Sequence, residues 1–236
     1  MKALVNRIHR MLDRHSPDAA RHFRAMLDEL GVARIHRAGV RRCKQLHRNA
    51  SGLRINFGSG AATKSGFLNL DFSPAADIRL DLRRPIPLPD GCAVLVHSEH
   101  FVEHLAYPEG VEGFFAECLR ILAPGGELSI SVPDTDWPMQ QYASGSGEWI
   151  EACRENRWHP QECSTFMEHL DYHFRQRQRG VSYDDFNVHR FAWDFETMAK
   201  KLREAGFVDA AKRPFNPDLD CIHRRVGSLF VSARRP

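Results

Sequence analysis

Leu53-Arg-Ile-Asn-Phe57-Gly58-Ser59-Gly60, followed closely by Gly66-Phe-Leu-Asn-Leu-Asp71, is the stretch that decides the fold. Leu53, Ile55 and Phe57 alternate with polar residues, as a strand with one buried face does, and the run stops at a Gly-x-Gly turn. A second apolar run, Phe67 to Leu70, ends in the carboxylate of Asp71. Strand, glycine loop, strand and acid is the order that holds a nucleoside at the carboxyl ends of parallel strands. Gly58 and Gly60 let backbone approach a ligand closely, and Asp71 can accept hydrogen bonds from both hydroxyls of a ribose. A Gly-x-Gly after a strand is also a common turn, so the pair alone does not decide between ligand loop and turn.

Three further motifs follow in order: Asp81-Leu82, Ser98-Glu-His-Phe-Val-Glu-His-Leu105 and Glu117-Cys-Leu-Arg-Ile-Leu-Ala-Pro-Gly-Gly126. With them the chain resembles the class I S-adenosylmethionine-dependent methyltransferases. It is most similar to the small bacterial group whose glycine loop leads almost directly into a Gly-aromatic-x-Asn-x-Asp strand. The resemblance covers Leu53 to Asp134 well and Asn187 to Phe207 moderately, and leaves the first fifty residues outside. It implies an α/β fold, a Rossmann-like, doubly wound, mostly parallel sheet, here with a helical N-terminal extension. It also implies S-adenosylmethionine as cofactor. Gly58 and Gly60, with Phe57 and Ser59 beside them, would then meet the amino-acid tail, Asp71 the ribose, and Asp81 with Leu82 the adenine. Ser98 and Glu99 would line the methionine end. No metal belongs to this pattern.

At 236 residues and 42% hydrophobic content the chain can bury a real core. One globular domain with appendages fits that length, and no apolar run approaches the ~20 residues of a membrane span. The first ten residues are interrupted by charges, unlike a secretory signal. Six cysteines are scattered without paired spacing. That pattern fits reduced thiols in a cytoplasmic protein better than a disulfide framework or a zinc knuckle. The net charge of +3 is uneven: residues 1–50 hold twelve Lys/Arg against four Asp/Glu, leaving −5 for the rest. A basic appendage could touch nucleic acid or an anionic membrane, although a solvated helical face explains it as well.

Residues 2–15 carry apolar side chains at helical spacing. Ser16-Pro17-Asp18 opens a second helix, with serine as N-cap and proline in the first turn, and Gly31 reads as its end. A third basic stretch, Ile35 to His47, leads to the first strand. These helices should pack on the domain or cover its site. We divide the chain into this extension, residues 1–50, and a methyltransferase-like domain, 51–236, whose inserted cover spans 135–190. Asp77–Asp81 reads as a third strand, Ala93–Ser98 as a buried fourth, and Pro108 opens a helix that ends at Pro124-Gly-Gly126 before a fifth, Glu127–Val132. Only Gly58 to Gly66 separates the first two strands, fewer than the dozen or so residues a crossover helix usually needs, so that connection should be a loop or a single turn. Within 135–190 one helix is readable, through Phe166, Met167, Leu170 and Phe174. Asp194 caps the last helix and Gly206 ends it. Two strands follow, Phe207–Arg213 and Ser228–Arg234, the second expected as an antiparallel edge.

Methyl transfer is an in-line displacement governed by positioning, and a base is needed only if the acceptor must lose a proton. His104 and His189 are the candidate catalytic residues, facing the transferred methyl from the loop after the fourth strand and from the end of the cover. A free imidazole as base would make turnover rise with pH through about 6.5. His100-Phe-Val-Glu103-His104 also matches the H-x-x-E-H of inverted zinc proteases, two imidazoles one helical turn apart. A zinc hydrolase through His100 and His104 is therefore one alternative, and a non-catalytic methyltransferase-like scaffold another. The favoured acceptor is a small molecule, a sugar or a lipid-linked glycan, since no Asn/Asp-Pro-Pro-aromatic amide-methylating motif follows the fourth strand.

Overall fold

The computed structural model describes residues 2–176 and 186–236; residues 177–185, part of the expected cover, lie outside the described residues. A seven-stranded sheet organises the chain, with β1 Leu53–Phe57, β2 Leu68–Asp71, β3 Ile78–Arg79, β4 Ala93–Glu99, β5 Leu122–Pro133, β6 Val208–Lys212 and β7 Ser228–Arg234. Their order is β3-β2-β1-β4-β5-β7-β6. The pairings among β1 to β5 are parallel, and β7 runs antiparallel to both β5 and β6. The antiparallel strand expected at the edge thus lies one place in, and β6 takes the edge. β7 is apolar through Leu229, Phe230, Val231 and Ala233, all buried, whereas every residue of β6 is at least partly exposed. Burial on both faces draws the more apolar strand inward.

The helices are α1 Lys2–His15, α2 Pro17–His47, α3 Glu109–Ile121, α4 Asp136–Ser144, α5 Glu148–Glu155, α6 Phe166–Arg175 and α7 Phe195–Glu204. Ser16 caps α2 through Ala19 N, and Asp194 caps α7 through Thr197 N at 2.8 Å. Gly31 does not end α2, which runs unbroken for 31 residues. A mid-helix glycine costs only about 1 kcal/mol relative to alanine. Packing of the second half offsets that cost. Gly39 sits so close to β3 that a Cβ there would lie 1.9 Å from the Arg79 carbonyl oxygen, and Cys43 is fully buried in the main core. α1 folds back on α2. None of the helices is long and apolar enough to cross a membrane among the described residues.

The main core joins β1, β2, β4, β5 and β7 to α3 and α7, with Phe57, Phe115, Leu128 and Trp193 among its largest side chains. A second, smaller core forms inside the cover. Trp149, Ile150, Cys153 and Leu170 are buried there against Trp137, Trp158, Phe166 and Phe174. α4 and α5 supply half of it, two helices where no regular periodicity is readable. β5 starts at Leu122, directly after α3 and five residues before the expected Glu127.

Candidate functional site

β1 and β2 are parallel neighbours, yet the segment between them holds only turns. Side chains take over what a crossover helix would do. Asn56 and Asn69 face each other in register, and Asn56 Nδ2 donates to Asn69 Oδ1 at 2.9 Å and to the Ala62 carbonyl at 3.3 Å. The same Oδ1 accepts from Lys64 N at 2.8 Å. Asn69 Nδ2 donates to the Lys64 and Phe67 carbonyls and to Asp77 Oδ2. Asp71 closes the device: Oδ2 accepts from Gly60 N at 3.0 Å and Oδ1 from Ser73 N at 2.6 Å. The loop is tied to the sheet by buried, fully partnered groups.

The two glycines differ. Both have positive φ, +65° at Gly58 and +52° at Gly60. A Cβ on Gly58 would lie 2.5 Å from the Phe101 ring, while one on Gly60 meets nothing within 4 Å. Gly58 therefore makes room for a side chain of its own fold, and Gly60 is the glycine that leaves space for a ligand.

A cavity of ≈ 720 Å³ opens on this loop. Gly58, Ser59, Gly60, Asp71, Glu99 and His104 all line it, so these residues from the expected site are brought together. Phe57 does not reach it; it is fully buried, edge-on to Phe114. Ser98 lies fully buried in β4. Leu82 belongs to the main core. Asp81 is turned away: Arg83 Nε and Nη2 and Arg84 Nε donate to its carboxylate, its amide donates to His36 Nδ1, and Arg83 bridges on to Glu29 of α2. The assignment of Asp81 and Leu82 to the adenine does not fit this placement. Phe72, next to Asp71, offers a ring to the same cavity instead, 5.4 Å from Phe186. No lining residue comes from α1 or α2.

Tyr172, Gln176, Asn187 and Arg224 also line the wall and carry no signal in the sequence. Their elements return to the site from far along the chain, and nothing in their spacing marks them. Arg224 donates to the Glu99 carbonyl at 3.0 Å, and Glu99 Oε1 accepts from Cys221 N at 2.8 Å while Oε2 lies 3.4 Å from Lys64 Nζ.

A second chamber of ≈ 310 Å³ adjoins the first, sharing His100, Tyr172, Gln176 and Arg224. His159, His173, His189 and His223 line it. The two candidate catalytic histidines stand at the junction, His104 on the first chamber and His189 on the second, with ring centroids 5.0 Å apart. His104 Nδ1 pairs with the Val188 carbonyl at 3.3 Å, and His189 Nδ1 with the His173 carbonyl at 3.0 Å. A carbonyl accepts only, so both rings carry their proton on Nδ1 and keep Nε2 as a lone pair. Between them lies Glu103, 1% exposed, whose two carboxylate oxygens have no hydrogen-bond partner. Burial pushes its carboxyl up to about 8 and pushes His189 down to about 3. His189 thus stays neutral across the working range, and the expected rise of turnover through about 6.5 does not apply to it.

His100 and His104 are not paired on a helix. His100 directly follows β4 at φ +50°, and His104 closes the short 3-10 turn Val102–His104. His100 Nε2 is bonded to Ser228 Oγ at 2.7 Å. The helical geometry of an inverted zinc protease is absent among the described residues.

Residues 42–130 match the family model described as a methyltransferase domain. Together with the sheet and the glycine-loop cavity, this match supports a methyltransferase domain that takes S-adenosylmethionine as cofactor. No curated protein matches the sequence. Similar solved structures include an S-adenosylmethionine-dependent methyltransferase from Mesorhizobium loti, 19% identical over 79% of this chain and 92% of that one, TM-score 0.44. Another is the complex between the Haloferax volcanii Trm112 methyltransferase activator and a methyltransferase, 15% identical over 89% and 94%, TM-score 0.44. A third, phosphoethanolamine N-methyltransferase 2 of Haemonchus contortus, is 12% identical over 85% of this chain but only 52% of its own, TM-score 0.43. Likeness this distant carries no residue role and no substrate over to this chain.

Proposed function

We propose that the enzyme methylates a hydroxyl of a small molecule, a sugar or a lipid-linked glycan. In this reading the acceptor occupies the histidine-lined chamber and the cofactor the glycine-loop cavity. The observation that carries it is that the two chambers adjoin, sharing His100, Tyr172, Gln176 and Arg224, with His104 on the wall of the first and His189 on the wall of the second. At the glycine-loop end, Gly60 gives the cofactor backbone space, the outer lone pairs of Asp71 take the ribose hydroxyls, and Phe72 offers a face to the adenine. The sulfonium then points to the junction. The acceptor hydroxyl loses its proton, its oxygen attacks the methyl carbon, the C–S bond breaks, and S-adenosylhomocysteine leaves as a neutral thioether. His104 on the cofactor cavity and His189 on the second chamber are the groups nearest to that proton.

The scattered cysteines support a cytoplasmic setting. The basic faces of α1 and α2 stand away from the cavity lining, so contact with nucleic acid or an anionic membrane is not part of this reading. Incubation with methyl-labelled S-adenosylmethionine and a panel of sugars, phenols and polyprenyl-linked glycans tests it. Label on a hydroxyl of one panel member is expected. Label only on amines or thiols would overturn the hydroxyl assignment, and cofactor binding without transfer to any acceptor would favour a scaffold.

A further inference from the structure

We infer that the second chamber takes an anionic acceptor, a small molecule whose carboxylate or phosphate group is held by Arg224. This deepens the proposed function and rests on its placing of the acceptor in that chamber.

Arg224 closes the short 3-10 turn Ile222–Arg224 and lines both chambers. Its Nη1 donates to the Glu99 carbonyl at 3.0 Å, the one hydrogen bond of this side chain among the described residues. That bond anchors the guanidinium. No carboxylate pairs with it among the described residues, so its charge is uncompensated. A guanidinium presents its N–H donors in a planar fork that matches a carboxylate or phosphate through two parallel bonds. With one donor spent on Glu99, an open pair is left.

The rest of the chamber wall favours a negative guest. Its described lining residues include neither Asp nor Glu, and Arg224 is the only Lys or Arg among them. Burial lowers His100, His159, His173 and His189 below their usual 6.5, so these imidazoles stay neutral near physiological pH and offer hydrogen bonds instead of charge. A cleft lined by charge of one sign concentrates ligands of the other. Trp158, Pro133 and Val226 add an apolar face, and the Trp158 ring lies so close to Gly227 that a Cβ there would be 2.9 Å from it. A flat apolar wall beside one fixed cation suits a sugar or phenol ring that carries an acid group.

The carboxylate of the cofactor is the rival occupant, and two observations turn Arg224 away from it. His223, Val226, Gly227 and Ser228, beside Arg224 in the chain, line the second chamber and not the first. Ser59, in the glycine loop, lines the first chamber and has a buried Oγ without a partner, a donor in place for the amino-acid tail.

The test is calorimetry on the full-length protein saturated with S-adenosylhomocysteine, using two matched probe pairs. They are para-hydroxybenzoate against para-hydroxybenzamide, and inositol monophosphate against inositol. The wild-type protein should bind the anionic member of one pair about tenfold more tightly than the neutral one, and the pair that shows it tells carboxylate from phosphate. Arg224→Gln should bring the two members to within about threefold of each other while S-adenosylhomocysteine affinity is unchanged. Arg224→Lys, which keeps the charge without the fork, should retain part of the preference and keeps the test open if Arg224→Gln does not fold. Equal affinity for both members in the wild type, or no binding of either pair, overturns the inference. So does a preference that survives Arg224→Gln. Loss of S-adenosylhomocysteine affinity in both folded variants overturns it too, since the guanidinium would then hold the cofactor. Anion binding at Arg224 without methyl transfer to any hydroxyl would instead overturn the hydroxyl reading and leave the subsite standing.

Discussion

The two ends of the cavity spend their buried polar groups in opposite ways. At the glycine loop, Asn69 makes hydrogen bonds through every polar atom of its side chain, and both oxygens of Asp71 hold backbone amides. At the junction, Glu103 is more deeply buried and has no partner. The first arrangement is complete without a ligand and sets the shape of a loop. The second is left incomplete, and burial there pushes the Glu103 carboxyl up to about 8. Asp71 can hold the loop and still meet a ligand through its remaining lone pairs, whereas the Glu103 carboxyl holds nothing.

Substitutions can break this comparison. The largest effect on folding should come from Asn69→Ala. It removes several buried hydrogen bonds and takes the acceptor from Lys64 N, so we expect a loss of about 3 kcal/mol or more in chemical denaturation. Should Asn69→Ala cost less than about 1 kcal/mol, the network does not hold the loop. At the junction the effect should fall on turnover. His189→Ala should lower kcat ~10²-fold or more once an acceptor is known, with S-adenosylhomocysteine affinity unchanged. Normal turnover would make the histidine structural.

The two glycines sharpen the contrast. Gly58→Ala meets the Phe101 ring and a positive φ, so it should destabilise the fold by roughly 1–3 kcal/mol. Phe101→Ala should recover part of that in a double-mutant cycle. Gly60→Ala meets no neighbour, so its folding cost should be only the φ strain, about 1 kcal/mol. Its loss should appear mainly in cofactor affinity. The reverse split between the two positions would show that the cofactor approaches at Gly58.

The smallest effect concerns His97, buried in β4 with Nδ1 near Ser129 Oγ and Nε2 unpartnered. Burial lowers it from 6.5 to about 3. Between those values the unfolded chain binds the extra proton, so His97 favours folding fully above about 6.5 and ever less as pH falls toward 3. His97→Gln should flatten the fall of stability on acidification by up to about 1.4 kcal/mol per pH unit in that window. An unchanged slope would mean that His97 does not titrate with unfolding.

Local signals made the sheet legible. β1, β2 and β4 are apolar runs that stop at glycine or an acid, the alternation of strands and helices argued the parallel order, and the short β1–β2 segment left no room for a crossover helix. Asp71 and Gly60 could be read because strand and loop chemistry fixes their place. Asp81 could not: its true partners are Arg83, Arg84 and a helix that reads as outside the domain. Gly31 looked like a helix end because glycine often terminates a helix after an apolar stripe, while the packing of Gly39 and Cys43 that carries α2 onward is tertiary. α4 and α5 have too little periodicity to announce themselves. The pairing of Glu103 and His104 with His189 was invisible for the same reason as Arg224: it depends on where the cover returns to the sheet, not on spacing.

In the proposed reading the glycine-loop end of the cavity takes S-adenosylmethionine. Calorimetry of the full-length protein with S-adenosylhomocysteine, wild type against Asp71→Ala, tests it most directly. Asp71→Ala removes both the ribose acceptor and the tether of Gly60 N, at ~1.5–3 kcal/mol for each charge-assisted bond, so binding at one site with at least tenfold weaker affinity in the variant is expected. Equal affinity in the two proteins, or no binding by the wild type, would contradict the account.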